Sequence, residues 1–219
     1  MPLKLVIGNK AYSSWSFRPW ILLAHFKIPF EEIVIPLDMA TTRADILKYS
    51  PTGKVPFLQD GAVRLWETLA IAEYVAEANP AKAIWPRAKA ARAHARVLSS
   101  EMHAGFQALR GECPMNLRRA PRPPVAPLSD AAKADVARIE AAFAGARKRF
   151  GKAGPFLFGK FCAADAMFAP VVNRLHVYAI PVAAETRSYM DAMMALPAWI
   201  AWAKDAAQEP WFLDKYESK

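Results

Sequence analysis

The chain has 219 residues, 54% hydrophobic and 22% charged, with a formal net charge of +9. That length allows one large or two modest domains with a substantial core, and no apolar run approaches the ~18 residues of a membrane span. Its two cysteines, Cys113 and Cys162, have neither metal-binding nor CxxC spacing, which argues against a disulfide scaffold and for a reduced, cytoplasmic setting.

The opening residues MPLKLVIG read as a strand over 3–7 rather than a signal peptide. Ser13-Ser14-Trp15-Ser16-Phe17-Arg18 closes that strand and opens a helix over 16–26. A strand over 30–35, a short helix near 43–48, strands over 56–59 and 62–64 and a helix over 67–78 follow. This alternation argues for α/β structure with mixed sheet order. Residues 79–86 read as a linker whose Ile84-Trp85 pegs one domain to the other. Beyond it the strand signals stop. Leu98, Met102, Phe106 and Leu109 fall on one helical face, as do Val136, Ile139, Phe143, Ala146 and Phe150, predicting two long amphipathic helices. Between them, residues 110–129 are rich in proline and arginine and predict an irregular connection that can border a site. Further helices are expected over 164–178, 185–195 and 197–207. The bounds are then 1–80 for the α/β domain and 87–219 for the helical one.

Charge divides unevenly between these regions. Residues 1–80 hold 8 basic and 8 acidic side chains, whereas residues 81–219 hold 21 and 12. Residues 81–122 alone carry nine basic side chains against Glu101 and Glu112. Such a bias steers anionic small molecules or binds nucleic acid, or it is a solvated basic face. The stretch RRAPRPP lacks the aromatic interleaving of a single-strand binder, so nucleic acid is set aside. His25, His94, His103 and His176 have no metal-binding pattern, and no metal is expected.

The chemistry is concentrated in YSPTGKVPFLQDGAVRLWETLAIAEYV, residues 49–75. Proline lacks an N–H and holds its predecessor extended, so the backbone of Val55 is available to a peptide lying alongside. Gln59-Asp60-Gly61 supplies turn chemistry. A helix starting near Glu67 leaves the N–H and hydroxyl of Thr68 pointing at whatever anion sits there. The Ser13-Ser14 hydroxyls at another helix start either cap it or donate to a thiolate.

In this combination SSWSFR, KVPFL and ETLAIAEYV, with CAADAMFAP opening a later helix, the chain resembles the cytosolic glutathione transferase superfamily, of the serine type, with a tau- or zeta-like first turn as in bacterial members. The resemblance implies a thioredoxin-like N-terminal domain followed by an all-helical C-terminal domain, with glutathione as co-substrate. It also implies a cytoplasmic homodimer built across the long helices and acting in detoxification. By resemblance Ser13 stabilises the thiolate as in tau- and zeta-like members, while Ser14 matches the donor of delta-like members and is retained as the second donor. Lys54 meets the glycyl carboxylate, Val55 pairs with the cysteinyl unit, and Glu67 and Thr68 hold the γ-glutamyl amine and carboxylate. His103, Phe106, Met115, Asn116 and Arg119 are candidates for the pocket of a small, mainly hydrophobic electrophile. Arg18 is expected to brace the domain contact and Asp165 to cap a helix.

The activity so implied is glutathione transfer. The alternatives are glutathione-dependent isomerisation of a maleyl-type diketo acid and a non-catalytic, transferase-like binding protein. Trp15 stands where Cys or Pro is usual, which weighs against the isomerase. An omega-like reductase would want cysteine at position 13. Cys162 stands where Ser or Thr should cap a helix, and a thiol is the weaker acceptor.

Overall fold

The apolar run LKLVI forms strand β1 (Leu3–Ile7) inside a four-stranded sheet. This is a computed structural model and it describes residues 2–217; Met1, Ser218 and Lys219, and with them the outer ends of the two expected domains, lie outside the described residues. β1 pairs in parallel with β2 (Phe30–Val34) and antiparallel with β3 (Phe57–Asp60), and β4 (Val63–Trp66) completes the order β2-β1-β3-β4. Parallel pairing requires a crossover, which α1 (Ser14–His25) supplies. α2 (Thr42–Leu47) leads to β3, and α3 (Thr68–Ala78) follows β4. Alternation along β1 sends Val6 to a small cluster with Ile35, Ile46 and Phe57, while Leu5 and Ile7 join the main core with α1 and α3. This is the thioredoxin-like arrangement.

The hairpin differs from expectation by one to two residues. Asp60 pairs with Val63, so Gln59 and Asp60 belong to β3 and the turn is Gly61-Ala62. A two-residue hairpin loop calls for positive φ, and Gly61 takes it at 55°. The Val55-Pro56 bond is cis.

The helical domain comprises α4 (Lys89–Ala104), α5 (Gln107–Glu112), α6 (Asp130–Phe150), α7 (Ala163–Val177), α8 (Ala184–Met194), α9 (Pro197–Gln208) and the short α10 (Asp214–Glu217). The single helix expected through Leu98–Leu109 is broken between α4 and α5. Gly105 caps α4 in an extended conformation where an added Cβ would lie 2.9 Å from the Glu101 carbonyl oxygen, and Phe106 is left-handed at φ 59°. The Phe106 ring nevertheless returns to the core, 6.5 Å from Phe168, so the hydrophobic period runs on across the break and conceals it.

The two domains share one core along α1. Phe17 stacks on the fully buried Trp202 at 4.9 Å and meets Trp199 edge-on at 5.1 Å, while Trp20 lies 5.0 Å from Trp202. Lys10 Nζ ties β2 to α9, 2.8 Å from Glu32 and 2.6 Å from Asp205. Arg18 braces the contact as expected, donating from Nε to the Met167 carbonyl of α7 at 2.8 Å and from Nη1 to the Ser14 carbonyl at 3.0 Å. Ile84 and Trp85 are buried, and the Ile84 carbonyl accepts from the Ala163 N–H at 2.8 Å. At the start of α7 the buried Asp165 accepts from the N–H groups of Leu157 (3.1 Å) and Cys162 (2.9 Å). Burial pushes its carboxyl up to about 6 against the pull of those two bonds.

Candidate active site at the first helix

The chain leaves β1 through a turn in which Ser13 N–H donates to the Asn9 carbonyl at 2.8 Å, and the Asn9 side chain in turn accepts from the Leu37 N–H at 2.7 Å. Ser13 then stands at the N-cap of α1, but its side chain makes no cap hydrogen bond. Its Oγ lies 2.7 Å from Ser16 Oγ, which accepts the Gly8 N–H at 3.0 Å. With a donor already on its oxygen, Ser16 can turn its own proton toward Ser13. The Ser13 proton is then left for a third atom above the helix end. Ser14 is half-buried beside it.

Two cavities meet at this turn. The smaller, about 200 Å³, gathers Lys54, Val55, Glu67 and Thr68 with Trp15 and His103. Glu67 is the N-cap of α3 at φ 72°, and its carboxylate is 3.5 Å from His103 Nε2, an ion pair when the imidazole is protonated. Thr68 Oγ1 donates to the Trp15 carbonyl at 3.4 Å. The larger cavity, about 550 Å³, is lined by Ser13 and Ser14, again by Trp15, Lys54 and Val55, and by Arg110, Arg174, Leu213 and Tyr216 from the helical domain. Its far wall is fastened by Tyr12 Oη donating to Glu217 at 2.5 Å and by the Lys215–Asp38 pair at 2.9 Å.

Of the residues selected by sequence, Ser13, Ser14, Lys54, Val55, Glu67, Thr68 and His103 therefore lie around one cleft. Phe106 and Met115 are core residues outside both linings. Asn116 is buried behind the wall, donating its backbone N–H to Asn173 Oδ1 at 3.2 Å and its side-chain amide to Glu217 at 3.0 Å. Arg119 is turned away, donating to the carbonyls of Val177 and Pro123 and lying over the Tyr178 ring.

Besides Lys54 and Lys215, the larger cavity is lined by the cations Arg110 and Arg174, which sequence reasoning does not select. Arg174 is 4% exposed and donates from Nε to the Cys113 carbonyl at 2.8 Å. Burial and the nearby Arg110 bring its guanidinium down to about 10. Burial with the charges of Arg174 and Arg110 likewise lowers Arg18. One signal exists in the sequence: an arginine within the otherwise buried helix AADAMFAPVVNRLHV has to face something polar. Ser16 also escapes selection as a functional group, although it stands in the same turn as Ser13.

Fold and cleft together define a two-domain protein that offers a hydroxyl-bearing helix start between a thioredoxin-like sheet and a helical bundle. Residues 12–78 match the glutathione S-transferase N-terminal domain, and residues 129–205 match the glutathione S-transferase C-terminal domain. The chain belongs to the glutathione transferase superfamily. A probable maleylacetoacetate isomerase of Caenorhabditis elegans is 36% identical over 107 residues, 48% of this chain and 50% of that protein. A dichloromethane dehalogenase of Methylorubrum extorquens is 46% identical over 52 residues, 23% of this chain and 18% of that one. The chain thus spans half or less of the length of these curated relatives. A glutathione transferase homologue from Burkholderia GL BGR1, solved with bound glutathione, superposes with TM-score 0.73 at 26% identity over 95% of this chain and 100% of that one. Among the described residues no helix is long and apolar enough to cross a membrane.

Proposed function

We propose that the protein is a glutathione S-transferase in which Ser13 stabilises the bound thiolate for attack on an electrophilic carbon. The observation that carries this reading is the Ser13 hydroxyl, released from capping and backed by Ser16 and Gly8, in the cleft it shares with Lys54, Val55, Glu67 and Thr68. A free thiol has a pKa near ~8.5, and lowering it by ~2 units needs about 2.7 kcal/mol of differential stabilisation. One charge-assisted hydrogen bond together with a helix N-terminus is of that order. No base is required. Positioning of the two reactants supplies much of the remaining acceleration. In this reading Lys54 and Thr68 take the two carboxylates of the peptide, Glu67 its amine, and Val55 its backbone. A cytoplasmic homodimer belongs to the same proposal.

The test is a pH titration of thiolate ultraviolet absorbance for glutathione bound to the wild type and to Ser13→Ala. A bound thiol pKa well below ~8.5 that rises in the variant supports thiolate activation. Absence of binding, or binding without a shift, favours the non-catalytic binding protein.

A second reading, glutathione-dependent isomerisation of a maleyl-type diketo acid, is favoured by the name of the Caenorhabditis elegans relative and by Arg110 and Arg174 at the larger cavity. The two readings separate on whether incubation with a cis-enedioate consumes glutathione as a conjugate or returns it with the trans isomer.

A further inference from the structure

Trp15, with Lys54 and Val55, lines both cavities, and three cationic or aromatic groups pack against its ring. The guanidinium of Arg18 lies 4.2 Å from the ring centroid and that of Arg110 4.9 Å, while His103 meets it edge-on at 5.1 Å. Arg18 is anchored in the protein by its two carbonyl acceptors. Arg110 has a looser attachment, through a 3.2 Å bond from Nη1 to the Gly105 carbonyl and the face of the Trp15 ring. The ring therefore sets where the Arg110 guanidinium stands.

Arg18, Arg110 and Arg174 take part in none of the ion pairs among the described residues. Asp38, the carboxylate that reaches the same cavity, is held by Lys215. Arg174 Nη1 and Arg18 Nη2 are buried and have no hydrogen-bond partner. Grouped cations without a counter-charge are costly in a low-dielectric site, and an incoming anion relieves that cost.

We propose that Trp15 and Arg110 act together as specificity-determining residues that restrict the co-substrate to electrophiles bearing a carboxylate. The ring holds Arg110 over the co-substrate cavity, and the carboxylate is received between Arg110 and Arg174 while the electrophilic carbon faces Ser13. This rests on the transferase reading. With a chlorodinitrobenzoate as probe, the glutathione sulfur forms the C–S bond at the carbon that carries chlorine, and chloride leaves with the bonding pair.

The experiment measures, by calorimetry on the glutathione-loaded protein, the affinities of the unreactive pair 3,5-dinitrobenzoate and 1,3-dinitrobenzene. It is accompanied by the kcat/KM ratio for 4-chloro-3,5-dinitrobenzoate over 1-chloro-2,4-dinitrobenzene. The wild type should favour the carboxylate by about tenfold or more at low salt, the worth of one charge-assisted pair, and the preference should shrink as ionic strength rises. Arg110→Gln should abolish most of that ratio, and Arg110→Lys should keep part of it. Trp15→Leu should lower the ratio as Arg110→Gln does, with little added loss in the double variant, whereas Trp15→Phe should retain it. A wild-type ratio near one, or equal ratios in wild type and Arg110→Gln, overturns the proposal. A ratio unchanged in Trp15→Leu removes Trp15 from it. The thiolate titration separates the two failures: thiolate formed without carboxylate preference sinks only this proposal, and no glutathione binding sinks the transferase reading itself.

Discussion

The two halves of the cleft are built on different principles. The side formed by Lys54, Val55, Glu67 and Thr68 comes from one stretch of fifteen consecutive positions, 54–68, and relies on an extended backbone and a helix start. The side formed by Arg110, Arg174, Leu213 and Tyr216 is collected from α5, α7 and the segment around α10, and relies on side chains brought together by packing. A site made of backbone and turn chemistry tolerates change around it. One assembled from distant side chains depends on every element that carries them.

The largest test of that contrast is Ser13→Ala, which sits where the halves meet. Turnover should fall by about 100-fold, the loss typical for removing one preorganised donor, while glutathione affinity stays within a few fold. Steady-state kinetics with a glutathione binding isotherm checks both, and equal loss from Ser14→Ala with Ser13→Ala harmless would assign the donor to Ser14.

Next comes Asp165→Ala. Leaving the Leu157 and Cys162 N–H groups buried and unpaired should cost about 2–3 kcal/mol in denaturant unfolding. Because α7 carries Arg174, affinity for a carboxylate probe should fall before affinity for glutathione does. The same residue gives a pH signature. The folded protein holds this proton more tightly than the unfolded chain, where the carboxyl titrates near 3.8. That contribution favours the folded state below 3.8 and is lost as pH rises through about 6. Relative to Asp165→Asn, the wild type should therefore gain stability as pH is lowered between those values.

Smaller effects follow. Ser16→Ala should reduce turnover about tenfold, the worth of one hydrogen bond of about 1.4 kcal/mol, and raise the bound thiol pKa while Ser13 remains in place. Cys162→Ser replaces a weak acceptor by the usual capping hydroxyl at the start of α7 and should raise unfolding stability by about 0.5–1 kcal/mol. A Cys162→Ser protein no more stable than wild type would show that Asp165 already satisfies that helix end.

The same contrast explains which parts of the molecule are legible in its sequence. Strands and helices of the first domain lie within one or two residues of expectation, because LKLVI, the Val-Pro step and Asp60-Gly61 act locally. Val55 and Thr68 can be selected for the same reason, and Lys54 and Glu67 through the resemblance that these local motifs carry. The break at Gly105-Phe106 is hidden because the Phe106 ring still points into the core. Met115, Asn116 and Arg119 belong to a proline-rich connection whose path no periodicity fixes, and they turn to the core, to Glu217 and to the carbonyls near Val177. Arg110 and Arg174 are 64 positions apart and reach one cavity only through tertiary packing, α5 against α6 and α7 against α1 and α4.

The bond from Tyr12 to Glu217 spans 205 positions. During synthesis at ≈ 5–20 residues per second, the sheet, Ser13 and the helix start at Thr68 leave the ribosome well before the residues around Leu213 and Tyr216. At that stage the residues of the smaller cavity are out while the larger one still lacks its wall at Leu213 and Tyr216, and Phe17 on α1 still lacks Trp199 and Trp202, so the cleft is completed only when the last helices arrive.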